Sequence, residues 1–500
     1  MISIRIQAQL SCVCLATFLL TLGAGAVLGD SPVRPNVVLI VADDLGYREL
    51  GCFGQKLIRT PNLDALAARG MRLTQHYSGN AVCAPSRCVL MTGKHPGHAW
   101  IRDNGEVKPE GQRPIPASEI TLANVMREAG YATGAFGKWG LGSPGSEGDP
   151  LQQGFDRFYG YNCQRHAHSY YPSYLWSDDQ RVPLDNDPPV NGHGKLPKDA
   201  DPNDPHSYSQ FQGQDYAPDR IHKQALAFIR KNKDRPFFLY YPTLIPHLAL
   251  HVPDEELEPY LKLGWNDPPF TKLNGGGYTP HYTPRAAYAA MITRMDRYIG
   301  NVLNLLDELE LTEDTIVVFS SDNGTTHIQQ EVDYEFFSSV GKLRGLKGSL
   351  YEGGVRVPTI ACWPGRIEAS SQSDRISGFE DWMPTLHELV GAEEAPPKKI
   401  DGISLAPTLL GKSQPPRPFL YREFPGYGSQ QSIRVGDWKA IRTNMKRSNT
   451  KFELYNLAKD IGEKNDVAAE NPEVLGKLVA MIEEQHTDSP LFPLGPADGG

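Results

Sequence analysis

Asn36-Val-Val-Leu-Ile-Val-Ala-Asp43-Asp44 is the stretch that decides the fold. An uncharged run rich in β-branched residues is the pattern of a strand buried on both faces, as in a parallel sheet. A second run, Thr315-Ile-Val-Val-Phe-Ser-Ser, also ends on a polar group, Asp322-Asn323-Gly324. Pro236-Phe-Phe-Leu-Tyr-Tyr, reaching towards His247, is a third candidate strand. Tyr131-Ala-Thr-Gly-Ala-Phe-Gly-Lys138 is a short fourth, entered from a helical pattern over 121–129. Tyr288, Ile292, Met295, Ile299, Val302, Leu306 and Leu309 alternate spacings of four and three, the stripe of a core-facing helix. Strands alternating with helices predict an α/β fold, with a large, mostly parallel or mixed central sheet flanked by helices. From about Lys412 the segments shorten, as in Gln431-Ser-Ile-Arg-Val-Gly-Asp-Trp-Lys-Ala-Ile-Arg, and end in a helix near 472–485. That texture predicts a smaller C-terminal α+β domain. The expected organisation is a leader over 1–29, a large α/β unit over 33–410 and the small domain over 411–500.

Composition narrows the classes around this frame. With 40% hydrophobic and 22% charged residues in 500, the chain has ordinary globular usage and ample core material. Lys+Arg 50 against Asp+Glu 59 gives a net charge of −9, which argues against a nucleic-acid-coating surface. An anionic substrate stays open, since a site needs only a local cluster of cations. Arg5, an apolar run from Leu10 to Val27 and the small residues Gly23 to Ala26 describe a secretory signal peptide, with an uncleaved membrane anchor as the alternative reading of a run barely long enough to span a bilayer, and the mature chain is expected to be secreted or periplasmic. No later run is long enough to span a membrane. Removing the leader leaves Cys52, Cys83, Cys88, Cys163 and Cys362, an odd number in an oxidising compartment, so one thiol is expected to have another fate.

Asp43 and Asp44 follow one buried strand, and Asp322 and Asn323 follow another. Open α/β sheets collect ligands beyond the carboxyl ends of their strands. Oxygen donors without a matching His/Cys set suit Ca²⁺ or Mg²⁺ rather than zinc. Each pair read alone is equally a helix cap or a turn.

Cys83-Ala84-Pro85-Ser86-Arg87, followed by Leu90-Met91-Thr92-Gly93-Lys94, sets a cysteine four residues before an arginine in a Pro-containing turn entering a helix. A helix N-terminus favours anions and activates a nucleophile, yet a structural or disulfide-bonded cysteine fits as well. The segment closely resembles the signature of the formylglycine-dependent sulfatases, Cys-x-Pro-Ser-Arg with a following Thr-Gly element. Gly137-Lys138-Trp139, Pro246-His247 with Pro253, and Lys347-Gly-Ser-Leu-Tyr-Glu-Gly-Gly resemble further blocks of that family, in order, from about Pro35 to Pro493.

The resemblance implies a sulfuric ester hydrolase in which a maturation enzyme oxidises Cys83 to formylglycine, whose hydrate binds Ca²⁺ (or Mg²⁺). It implies Asp43, Asp44, Cys83, Asp322 and Asn323 as the metal set. One hydroxyl of residue 83 attacks sulfur with Asp322 taking the proton. Arg87, Lys138 and Lys347 neutralise sulfate oxygens, and His247 protonates the leaving oxygen. A gem-diol expels sulfate by collapsing to the aldehyde, so no stable ester has to be hydrolysed. Two departures stand out: Gly140 where the family carries His after Lys-Trp, and Met91 with Lys94 in the maturation element. The missing His leaves the sulfate-release step to another base such as His166 or His168.

The loop Gly160 to Tyr171, with Trp176, is rich in aromatic and basic groups. It suggests a sulfated carbohydrate engaged by Arg165, His166 and His168, although packed tyrosines are an equal reading. An aryl sulfate is the simpler substrate of the same class. Two other readings compete: a phosphate or phosphonate ester hydrolase on the same scaffold, and a non-catalytic Ca²⁺-dependent glycan-binding protein.

Overall fold

The opening strand forms over Asn36–Ala42 with every residue buried. Its alternating side chains divide between two cores, as the pleat requires. Val38, Ile40 and Ala42 pack with the long helix Pro284–Glu308 and with Ala217–Asn232. Val37, Leu39 and Val41 pack with the helices Cys83–Thr92, Leu122–Glu128 and Trp382–Leu389 on the opposite face. A strand hidden on both sides has to be apolar throughout, which is why the sequence shows a run instead of an alternation. In this computed structural model the described residues are 34–108, 110–271, 277–393 and 397–495. The expected leader, with Cys12 and Cys14, lies outside them.

The strand sits inside a ten-stranded sheet. Thr315–Ser321 pairs with it on one side and Phe237–Pro242 on the other, both parallel. Ala132–Lys138 and then Arg157–Tyr161 extend the parallel block. Outside the block the sheet is mixed. Thr359–Cys362 runs antiparallel to Thr315–Ser321, and the hairpin Tyr174–Ser177/Gln180–Pro183 closes the other edge. Registers matter for function. Ala42 lies opposite Ser321 and Lys138 opposite Tyr161, so the residues that follow these strands emerge at one level of one sheet edge.

A second sheet of four antiparallel strands, Leu420–Phe424, Gln430–Val435, Trp438–Arg442 and Glu453–Asn456, carries the helix Pro472–Gln485 through Tyr421, Ile433, Ala440, Leu478 and Ile482. This sheet also holds two loops of the large unit. Asn80 Nδ2 donates to the Glu423 carbonyl at 3.0 Å and Arg422 Nε to the Ser78 carbonyl at 2.9 Å. Gln430 Nε2 donates to the Gly348 carbonyl at 2.7 Å. The segments just before Cys83 and just after Lys347 are therefore fixed from behind by the C-terminal sheet. Among the described residues no helix is long and apolar enough to cross a membrane.

Candidate functional site

At the carboxyl ends of the first strand and Thr315–Ser321, three carboxylates and an amide meet with almost no exposure. Asp44 adopts a left-handed φ of 66°, which turns its amide so that the N–H donates to Asp322 Oδ1 at 3.2 Å. Asn323 Nδ2 donates to Asp44 Oδ1 at 2.7 Å and to the Gly324 carbonyl at 2.9 Å. Asn323 Oδ1 is left buried without any hydrogen-bond partner. An orphaned amide oxygen costs about 1–3 kcal/mol, and hard oxygen donors gathered beside it are what a Ca²⁺-type cation satisfies. The residues present fit such an ion.

Cys83 is the first residue of its helix, with Pro85 in the first turn, where a missing N–H is harmless. Ser86 Oγ accepts the Gly79 N–H at 2.9 Å and Asn104 Oδ1 accepts the Ala84 N–H at 3.1 Å, fixing the approach of the chain. The Cys83 thiol donates to Asp43 Oδ1 at 3.3 Å, and its sulfur lies 3.5 Å from Lys138 Nζ and 3.8 Å from Lys347 Nζ. Lys138 Nζ also meets Asp43 Oδ2 at 2.6 Å, and Lys347 Nζ meets Asp44 Oδ2 at 2.7 Å. Arg87 gives two N–H groups to Asp322 Oδ2, at 3.0 and 2.8 Å, and a third to the Lys138 carbonyl. His247 Nδ1 is bonded to the Leu248 carbonyl at 2.5 Å, which turns Nε2 towards Asp44 Oδ2, 3.7 Å away.

These contacts spread the carboxylates apart in acidity. Burial pushes Asp43 up, but Lys138, His247, Arg87 and Lys347 outweigh it and hold it well below the usual range. Burial and the neighbouring Asp43 carry Asp322 up to about 7 against the pull of Arg87. Burial, then Asp43, pushes the Cys83 thiol up to about 12. His247 is held well below the usual imidazole value by burial and by the two lysines. The carboxylate that touches residue 83 is Asp43, while Asp322 accepts from Arg87 and the Asp44 N–H.

The aromatic loop divides. The His168 ring stacks on His247 at 4.9 Å and 16°, with its Nδ1 2.8 Å from His193 Nε2. Tyr278 packs edge-on against His168 and His247. Arg165 and His166 instead border a separate recess with Glu110 and Tyr174; His166 Nδ1 lies 3.4 Å from Glu110 and its ring 4.6 Å from Tyr174. The structure thus brings His168 against His247, beside Asp44, and leaves Arg165 and His166 outside that cluster. At Gly140 the backbone is left-handed, φ 80°, and an added Cβ would stand 2.0 Å from Gln164 Nε2. Gln164 occupies that space. His193, Tyr278 and Gln164 carry no motif, and only the fold reveals them.

The described cysteines, Cys52, Cys83, Cys88, Cys163 and Cys362, are all free. Cys88 and Cys362 are core side chains and no described cysteine is half of a disulfide, so the odd count does not single out Cys83. Another group of possible metal donors, His95, His98 and Asp401, is bonded internally, with His98 Nδ1 2.9 Å from Asp401 and His95 Nε2 3.1 Å from Gln485.

A family model described as Sulfatase matches residues 35–392, and one for the C-terminal part of N-sulphoglucosamine sulphohydrolase matches residues 346–488. Arylsulfatase A of Homo sapiens is 32% identical over 502 residues, covering 92% of this chain and 89% of its own. N-acetylgalactosamine-6-O-sulfatase of Bacteroides thetaiotaomicron is 29% identical over 518 residues, covering 92% and 94%. Among solved structures, Ps i-CgsB in complex with k-i-k-neocarrahexaose superposes with a TM-score of 0.72 at 26% identity, covering 93% of this chain and 96% of that one.

Proposed function

The chain belongs to the sulfatase family and hydrolyses sulfate esters, and from that premise we propose that its substrate is a sulfated carbohydrate, cleaved with formylglycine at position 83 and a bound Ca²⁺. The observation that carries the reading is the convergence on residue 83. Asp43, Lys138 and Lys347 all contact its side chain within 3.8 Å, and they come from three distant parts of the sequence. Asp43, Asp44, Asp322, Asn323 and residue 83 would hold the cation, and the unpartnered Asn323 Oδ1 supports that set. Bound there, Ca²⁺ adds positive charge beside the sulfate oxygens. Formylglycine, made from Cys83 by a maturation enzyme, supplies as its hydrate a hydroxyl nucleophile and releases sulfate on return to the aldehyde.

The chain's own side chains do the rest. Lys138 and Lys347 flank residue 83 and neutralise a sulfate held there, while Arg87 braces Asp322 and the Lys138 carbonyl from beneath. His247 is oriented through its Nδ1–H, so Nε2 is the atom that faces the leaving oxygen, and because burial and the two lysines keep the ring neutral it passes on a proton there only after taking one up. Stacking on His168 fixes the plane of that ring. Gln164, in the space above Gly140, adds an uncharged amide and no base at that position. Export to a secreted or periplasmic location and a two-domain division near 410 belong to the same reading.

Mass spectrometry of the residue-83 peptide from natively matured protein tests the core of it. Formylglycine is expected, and an unmodified cysteine in active enzyme would overturn the mechanism. Assayed side by side, sulfate esters should be cleaved far faster than phosphate or phosphonate esters of the same alcohol. Arg165→Ala should weaken turnover of a sulfated sugar more than that of a small aryl sulfate, and equal losses would remove Arg165 from the substrate site.

A further inference from the structure

The turn at the tip of the first hairpin of the C-terminal sheet presents Tyr427 with 61% of its surface exposed, an outward aromatic close to a buried catalytic centre. Its backbone is left-handed, φ 44°, as is that of Ser429, φ 70°. A bulky residue in that region of backbone is strained. The turn is nonetheless firmly built: Ser429 N–H donates to the Gly426 carbonyl at 2.9 Å, and Ser429 Oγ to the Leu494 carbonyl at 2.7 Å.

The ring is also seated in a fitted place. It lies against Gly348, itself left-handed at φ 83°, where an added Cβ would come within 2.6 Å of two ring carbons. Phe424 supports it at 5.7 Å, and His327 meets it edge-on at 5.5 Å. An open recess of about 490 Å³ runs between His327, Tyr334, Leu346, Lys347, Gly348 and Tyr427. Its volume lies within the usual 300–1,000 Å³ of small-ligand sites. Lys347, on its wall, is the residue whose Nζ stands 3.8 Å from Cys83 Sγ, so the recess opens one lysine side chain away from the nucleophile.

We infer that Tyr427 and this recess form a second subsite, which binds a sugar ring of an oligosaccharide next to the sulfated ring held at residue 83. An exposed aromatic face matches the C–H face of a pyranose, and the imidazole of His327 can bond ring hydroxyls. Strain at Tyr427 and the missing side chain at Gly348 serve the same end, keeping the ring upright at the mouth. The inference rests on the carbohydrate reading above and adds that the enzyme reads more than one sugar.

The test compares three substrates in the full-length, matured enzyme: a sulfated galactosaminoglycan or galactan tetrasaccharide, the matching sulfated monosaccharide and 4-methylumbelliferyl sulfate. Tyr427→Ala should raise KM about tenfold for the tetrasaccharide with kcat unchanged, and leave the monosaccharide and the aryl ester unaltered. Tyr427→Phe and Tyr427→Trp should restore the tetrasaccharide KM, which a purely structural role would not explain. An unchanged tetrasaccharide KM in Tyr427→Ala, or equal losses on all three substrates, overturns the subsite while the sulfated-sugar reading survives. Wild-type enzyme that cleaves the aryl sulfate but neither saccharide overturns both.

Discussion

Two of the buried charge clusters among the described residues are built differently. Behind the site, where the C-terminal sheet meets the large unit, Arg422 closes a two-pronged fork on Glu380 at 3.0 and 2.9 Å. Arg417 takes both oxygens of Asp381, at 2.5 and 2.6 Å, and reaches Glu380 at 2.8 Å. In the site, Arg87 spends two N–H groups on one oxygen of Asp322, and two lysines act as point charges around a thiol. Asn323 Oδ1 has no partner at all. Closed forks leave no coordination for a ligand, whereas convergent monodentate contacts with an orphaned oxygen do. The contrast separates charges that fix the fold from charges that wait for something.

The sharpest way to break the comparison is to delete the centre of the open cluster. Cys83→Ala should abolish sulfate-ester turnover by more than about a thousandfold, the scale of losing a nucleophile, with the denaturant midpoint unchanged. An unfolded Cys83→Ala protein would mean that the open cluster is structural too. Arg422→Ala attacks the closed cluster and strands Glu380 beside Arg417 alone. Breaking a buried pair costs about 3–5 kcal/mol, read as a fall in the urea midpoint, and the purified folded fraction should keep its kcat. Chelating Ca²⁺ probes what the open cluster waits for. At a free ion concentration 100 times Kd, a bound ion adds about 2.7 kcal/mol, so chelation should lower Tm and stop turnover, and Arg422→Ala protein should show the same increment.

Much of the frame was legible in the sequence because it depends on local pattern. Apolar runs that end in Asp43-Asp44 and Asp322-Asn323 mark strands and their carboxyl ends, and parallel pairing with Ala42 opposite Ser321 then forces the two pairs together. The helix Pro284–Glu308 follows from spacing, and the helix Pro472–Gln485 from its proline and apolar stripe. What stayed hidden depends on loops meeting across long separations. His193 reaches His168 from 25 residues away, and Tyr278 reaches His247 from 31. The aromatic loop offered Arg165, His166 and His168 as one set. Its short 3-10 turn, His166–His168, splits them, sending His166 to Glu110 and His168 to His247. Free cysteines were equally invisible, since a count cannot say that Cys88 and Cys362 are core side chains.

A smaller effect compares two buried carboxyls by sign. Glu380 lies between guanidiniums: burial raises it, but Arg422 and Arg417 prevail and bring it down to about 2. Glu49, close behind the site, has only neutral donors, the Gly46 N–H at 2.6 Å and the Tyr288 hydroxyl at 2.8 Å, and burial carries it up to about 7. A depressed carboxyl contributes stability that is present above its unfolded value near 4.5 and lost as pH falls towards 2. A raised one contributes stability that is present below 4.5 and lost as pH rises through 7. Glu49→Gln, which keeps the shape without the charge, should therefore flatten the decline in urea midpoint between pH 5 and 8 (roughly the span between the two Glu49 values) and leave the acid limb as it was. Arg422→Ala should change the acid limb and spare the other. If both variants moved the same limb, the two carboxyls would be titrating as one network, and the division between closed and open charge clusters would not extend behind the site.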